Sequence, residues 1–120
     1  MKIVVSAKGH DLNSEVDPRF GRAAGFILFD TETHDFMAVD NSQTLNTPSG
    51  AGIQAAETVS RLNADALITG HCGPKAFRTL RAAGIAIYTG ASGTVSAALE
   101  AWEQKKLTEV SEADVESHWI

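Results

Sequence analysis

The 120-residue chain has a single cysteine, Cys72. One thiol cannot close an internal disulfide, and it falls short of the thiolate set that usually holds an iron–sulfur cluster or a structural zinc. A reducing, cytoplasmic setting is the expectation. Long apolar runs are also missing, and none approaches the roughly 20 residues needed to span a bilayer. The opening stretch Met1-Lys2-Ile3-Val4-Val5-Ser6-Ala7-Lys8 has too short an apolar segment for a signal peptide and reads as a strand. No membrane is expected among the partners. Basic charge is scarce, with 10 Lys and Arg against 15 Asp and Glu. Phosphate neutralisation dominates generic nucleic-acid affinity, so an acidic chain without a basic stripe is not expected to bind nucleic acid. A G-x-x-x-x-G-K-[ST] phosphate loop is absent, and the first strand carries no carboxylate on which to build a two-metal nuclease site.

What is there suits one globular domain. Hydrophobic residues make up 43 % and charged residues 21 %, enough for a core without staples and unlike a disordered chain. The net charge of −5 is uneven: residues 100–120 hold six acids and two bases, leaving the preceding body at −1. A near-neutral body has room for a local cationic pocket that takes a small anion.

Apolar strands are predicted at residues 2–7, 25–30 and 35–40, the last two forming a hairpin. A polar loop with glycines fills residues 8–24, and a second polar loop runs from Asn41 to Gly50. The period then changes. Ile53, Ala56, Val59, Ser60 and Leu62 share one helical face. A short buried strand at residues 66–69 leads through Gly70-His71-Cys72-Gly73-Pro74 into a helix carrying Ala76, Phe77, Leu80 and Ala83. Proline suits a first helical turn, and Gly84 suits a stop. A strand at residues 85–88 and a helix over about residues 94–106 follow. The order β-β-β-α-β-α-β-α predicts a single α/β domain, with a mixed five-stranded sheet flanked by helices. Residues 107–120 read as an acidic, poorly patterned tail, in which Trp119 and Ile120 are the residues able to dock back.

Ligands of open α/β sheets bind beyond the carboxyl ends of parallel strands. Three segments are predicted to converge there: residues 8–24, 70–74 and 89–93. In Gly70-His71-Cys72-Gly73-Pro74-Lys75, a helix start supplies backbone N–H groups, the glycines admit close approach and positive φ, and His71 and Lys75 add charge. Either this is an anion site or it is a well-made turn. Cys72 at a helix start is expected to have a stabilised thiolate; the alternative is a small thiol filling space. Asp17-Pro18-Arg19-Phe20-Gly21-Arg22 offers two guanidinium forks that suit multi-oxygen or multi-sulfur anions, unless they pair with Asp11, Glu15 and Asp17. The G-x-G-x-x-A match at Gly50-Ala51-Gly52-Ile53-Gln54-Ala55 lies about ten polar residues after its strand, and reads as a glycine-rich helix start rather than a dinucleotide site. His34 and His118 read as surface residues; His10 is a possible addition to the pocket.

Four segments in matching order resemble the dinitrogenase iron–molybdenum cofactor biosynthesis family over about residues 1–105. They are M-K-I-V-V-S-A at the start, E-V-D-P-R-F-G-R-A (Glu15 to Ala23), G-A-G-I-Q-A-A-E (Gly50 to Glu57) and G-H-C-G-P-K-A-F (Gly70 to Phe77). The resemblance implies a ribonuclease H-like fold without nuclease activity. It also implies a cofactor, an anionic molybdenum–copper-sulfide cluster held without covalent attachment. Such a cluster brings its own sulfide ligands, so it needs cations, N–H donors and a shaped cavity rather than four thiolates. The candidate cofactor-binding residues are Arg19, Phe20, Gly21, Arg22, Gly50, Gly52, Gly70, His71, Cys72, Gly73, Pro74 and Lys75. No catalytic residue and no direct metal ligand is assigned. The expectation is a cluster carrier or scaffold over residues 1–106, not an enzyme, with protein partners in delivery or signalling. Two other readings stay open: a sulfurtransferase using Cys72 as a persulfide carrier, and a regulatory module meeting a partner through the sheet edge or the acidic tail.

Overall fold

The structure is a computed structural model that describes residues 1–41 and 50–110. The polar loop over residues 42–49, and the expectations for His118, Trp119 and Ile120, lie outside the described residues.

Six strands form one sheet: β1 (Lys2–Ala7), β2 (Gly25–Asp30), β3 (Phe36–Asp40), β4 (Ala66–Ile68), β5 (Ala86–Thr89) and β6 (Thr108–Val110). Their order across the sheet is β3-β2-β1-β4-β5-β6. β1 runs parallel to β4 and β4 to β5, while β2, β3 and β6 are antiparallel to their neighbours. The expected five-stranded sheet therefore gains a strand. β6 was hidden by its length and its composition: Thr-Glu-Val is three residues long, largely exposed and centred on an acid. Its β-branched residues still pair with β5 at Ile87 and Thr89. Thr108–Val110 thus belongs to the sheet edge rather than to a tail.

Three helices are described: α1 (Ala51–Arg61), α2 (Pro74–Ala82) and α3 (Val95–Glu103). α1 and α2 cover one face of the sheet. Ala55, Ala56 and Val59 of α1 and Phe77 and Leu80 of α2 close over Val4, Phe26, Leu67 and Ile87. On the opposite face α3 sets Val95, Ala98 and Leu99 against Ile3, Val5, Ile27 and Ile68. The alternation of β1 supplies both cores, since successive side chains of a strand point to opposite faces. α3 begins on Thr94, whose hydroxyl accepts the Ala97 N–H at 3.1 Å. Gly84 ends α2 with φ of 78°, where a side chain would be strained.

Candidate functional site

The loop between β1 and β2 is tied down rather than loose. The amide of Asp17 donates to the Ser6 carbonyl at 2.9 Å, and Ser6 Oγ donates to the Asp17 carbonyl at 2.7 Å. Ser6 has only one hydroxyl proton, so its 2.7 Å contact with Thr69 Oγ1 is donated by Thr69. Asp17 is 2 % exposed. Its carboxylate accepts the Arg19 N–H at 3.1 Å and the Ala24 N–H at 3.3 Å, folding residues 17–24 around itself. Phe20 then donates its N–H to the His71 carbonyl at 3.1 Å, and its ring is buried 5.6 Å from that of Phe26. The loop is stitched to the turn after β4.

Glycines set how closely these pieces approach. A Cβ on Gly70 would lie 2.6 Å from Pro18 Cα, and one on Gly21 would lie 2.9 Å from Gly52 Cα and N. Gly52 in turn faces the Ala76 side chain, 3.2 Å from where its own Cβ would sit. The β1–β2 loop, the start of α1 and the start of α2 therefore meet almost backbone to backbone. Positive φ is not the reason at Gly70 or Gly73, contrary to the expectation from sequence; the left-handed glycine here is Gly50, at φ 77°.

Between these pieces lies a cleft of about 520 Å³. Ten of the twelve candidate residues line it: Arg19, Phe20, Gly21, Arg22, Gly50, Gly52, His71, Gly73, Pro74 and Lys75. Ala51, Ile53 and Ala76 also line it and were not anticipated. Helical period assigned Ile53 to the core, but a first-turn residue lies at the helix end, here half-buried at the cleft wall. Gly70 and Cys72 are absent from the lining, Gly70 being pressed against Pro18. The turn at residues 89–93 is absent too. It braces the site from behind, the Gly90 amide donating to the Gly70 carbonyl at 2.9 Å. His10 is exposed and outside the cleft.

The electrostatics are one-sided. Arg19, Arg22, Lys75 and His71 line the cleft, and among the described residues no carboxylate does. The cleft is also where α1 and α2 both begin. Neither N-cap, Gly50 or Gly73, supplies a side-chain hydrogen bond, and neither first turn holds an acid. The N–H groups of Gly52, Ile53, Lys75 and Ala76 sit where a helix provides itself no acceptor, so they add partial positive charge to that of the side chains. Arg19 is anchored at the rim, its Nε 3.6 Å from Asp17 Oδ1, with the side chain 69 % exposed. Glu15 pairs with Lys8 instead, at 3.8 Å. Among the described residues, no group of three or more His, Cys, Asp or Glu is placed to hold a metal ion.

Cys72 departs from expectation. Its side chain is buried in the core with Phe77 and Leu80, and Sγ lies 3.7 Å from the Gly73 carbonyl. Burial pushes the thiol up to about 12. Desolvation outweighs the helix start, so Cys72 is a protonated, space-filling thiol rather than a stabilised thiolate.

A sequence profile described as dinitrogenase iron-molybdenum cofactor matches residues 1–105. The chain belongs to that family. Two solved structures with this fold share substantial sequence. The apo form of the orange protein from Desulfovibrio gigas superposes with a TM-score of 0.90 at 40 % identity, covering 92 % of each chain. A Thermotoga protein put forward as NifB and solved by NMR gives a TM-score of 0.81 at 33 % identity, covering 92 % of this chain and 94 % of its own. An uncharacterized protein of Methanocaldococcus jannaschii is 23 % identical over 97 residues, which is 79 % of this chain and 82 % of that protein. Among the described residues of this iron–molybdenum cofactor family member, no helix is long and apolar enough to cross a membrane.

Proposed function

We propose that this protein binds an anionic metal–sulfide cluster without covalent attachment, as a carrier or scaffold in cluster assembly or delivery. The observation that carries this reading is a cleft lined by Arg19, Arg22, His71 and Lys75, entered by two uncapped helix starts and, among the described residues, free of carboxylates. A bare cation would be repelled there. An oxyanion or sulfide cluster that supplies its own metal ligands suits the donor set, and Phe20, Ala51, Ile53, Pro74 and Ala76 give apolar walls to a weakly hydrated, soft guest. The family resemblance carried by residues 15–23, 50–57 and 70–77 favours a mixed molybdenum–copper sulfide as the particular cluster. The protein contributes field, shape and exclusion of water, and no bond in the guest needs to break. The strand order β3-β2-β1-β4-β5 supports the ribonuclease H-like label.

Non-catalytic cluster binding is favoured over sulfur transfer by the state of Cys72. A persulfide carrier needs an accessible thiolate, whereas Cys72 is 1 % exposed and its thiol is pushed up to about 12. Reconstitution tests the reading. Tetrathiomolybdate and copper added to the apo chain should give intense visible charge-transfer bands that survive desalting. Loss of all colour on desalting refutes it.

A further inference from the structure

The two faces of the sheet are unequally covered. Six strands at about 4.8 Å spacing make a sheet about 24 Å wide, and a helix is about 10 Å across. α1 and α2 share one face, while among the described residues α3 is the one helix on the other. α3 lies against β1, and among the described residues no helix covers the β2–β3 side of that face. Phe29 and Phe36 are cross-strand partners there, so they share a face, and Phe36 is 43 % exposed.

Between α3 and the β2–β3 hairpin is a second cleft, of about 310 Å³. Its floor is apolar, with Ile3, Leu12, Phe29 and Leu99. Trp102 forms a wall and is set edge-on against Tyr88, ring centroids 6.4 Å apart. The opposite wall is His34, at φ 65° and stacked on Phe29 at 5.9 Å. The hairpin that presents it is fixed by Asp30, whose carboxylate accepts the N–H groups of Glu32 and Thr33 at 2.8 and 3.3 Å. Thr31, Ser96, Glu100 and Glu103 complete the lining, and among the described residues no Lys or Arg takes part. This is the reverse of the first cleft: an apolar floor beneath an acidic rim.

We propose that this second cleft is a docking surface for a basic amphipathic segment of a partner protein. Charge complementarity selects the occupant. Apolar side chains of the segment cover Phe29, Phe36 and Leu99, while its Lys or Arg residues reach Glu100 and Glu103. The chain's own residues 111–120 are a poor fit, since they carry Glu112, Asp114 and Glu116 and no Lys or Arg. A second copy brings a net charge of −5 to the same rim. Docking here leaves the cationic cleft, on the other side of the sheet, open.

The test uses the full chain and two synthetic peptides with a helical apolar period, one of leucine and arginine, one of leucine and glutamate. The arginine peptide should shift the amide resonances of Thr31, His34 and Trp102 and the ring resonances of His34 and Trp102, and leave the amides of Gly21, Gly52 and Lys75 unmoved. In Glu100→Gln/Glu103→Gln its affinity should fall on the order of tenfold. Glu15→Gln/Glu57→Gln, which removes the same charge elsewhere, should leave it unchanged. Equal binding of both peptides, or equal loss in the two double variants, overturns the proposal. So does self-association through this face, or competition by residues 111–120 that appears as tighter peptide binding after their deletion.

Discussion

Alkylation of Cys72 decides between a reactive and an inert thiol. A free cysteine, with a pKa near 8.5, is about one-quarter thiolate at pH 8. With its thiol pushed up to about 12, Cys72 is about one part in 10⁴ thiolate at the same pH. Since the thiolate is the nucleophile, iodoacetamide should label the native chain at least about 10³-fold more slowly than the chain unfolded in guanidinium chloride. Burial of the side chain to 1 % exposure adds a steric barrier in the same direction. Intact-mass spectrometry over a time course reads both rates on one sample type, because Cys72 is the single thiol in the sequence. Native labelling within tenfold of the unfolded rate would refute the reasoning. It would mean that the helix start wins over desolvation, and it would restore the case for persulfide chemistry.

The same thiol predicts a pH dependence. Its folded pKa is raised, so its contribution to stability is complete below the unfolded value near 8.5 and declines as pH climbs towards 12, by about 1.4 kcal/mol per pH unit. The urea midpoint should fall more steeply over that window in the native sequence than in Cys72→Ala, whereas parallel curves would contradict it. Gly21→Ala places a methyl 2.9 Å from the Gly52 backbone, and should cost about 1–3 kcal/mol in urea unfolding while opening the cleft. An unchanged midpoint would show that the loop and α1 do not pack as described. Asp17→Ala strips buried acceptors from the N–H groups of Arg19 and Ala24, and should cost on the order of 2–3 kcal/mol. Fast hydrogen exchange at Ala24 in that variant is the confirming reading, and unaltered protection at Ala24 the refuting one.

Much of this architecture was legible in the chain because its signals are local and strong. The apolar strands at β1 and β2, the change of period at Ala51, Pro74 at a helix start and Gly84 at a helix end each state their role within a few residues. The convergence of residues 19–22 with residues 71–75 followed from parallel strands sharing an edge. What was illegible depends on packing between distant segments. Nothing around Cys72 in sequence says that its side chain turns into the core with Phe77 instead of towards the cleft. Gly70 and Gly21 are glycines because Pro18 and Gly52 press on them, a cause that lies 52 and 31 residues away. The third side of the cleft is the start of α1 rather than residues 89–93, because α1 packs beside α2 and brings its N-terminus along. β6 escaped because an exposed edge strand needs little apolar patterning.

Backbone amide shifts during titration with tetrathiomolybdate and copper(I) put the cationic cleft itself on trial. If an anionic sulfide cluster is gripped by two helix starts and their neighbouring cations, the largest shifts fall on Gly52, Ile53, Lys75 and Ala76, with Arg19 and Arg22 close behind. Replacing Arg19 and Lys75 by glutamine should then weaken the titration without moving the apo spectrum elsewhere. Shifts centred on any other part of the molecule, or a titration indifferent to those two charges, would contradict the assignment.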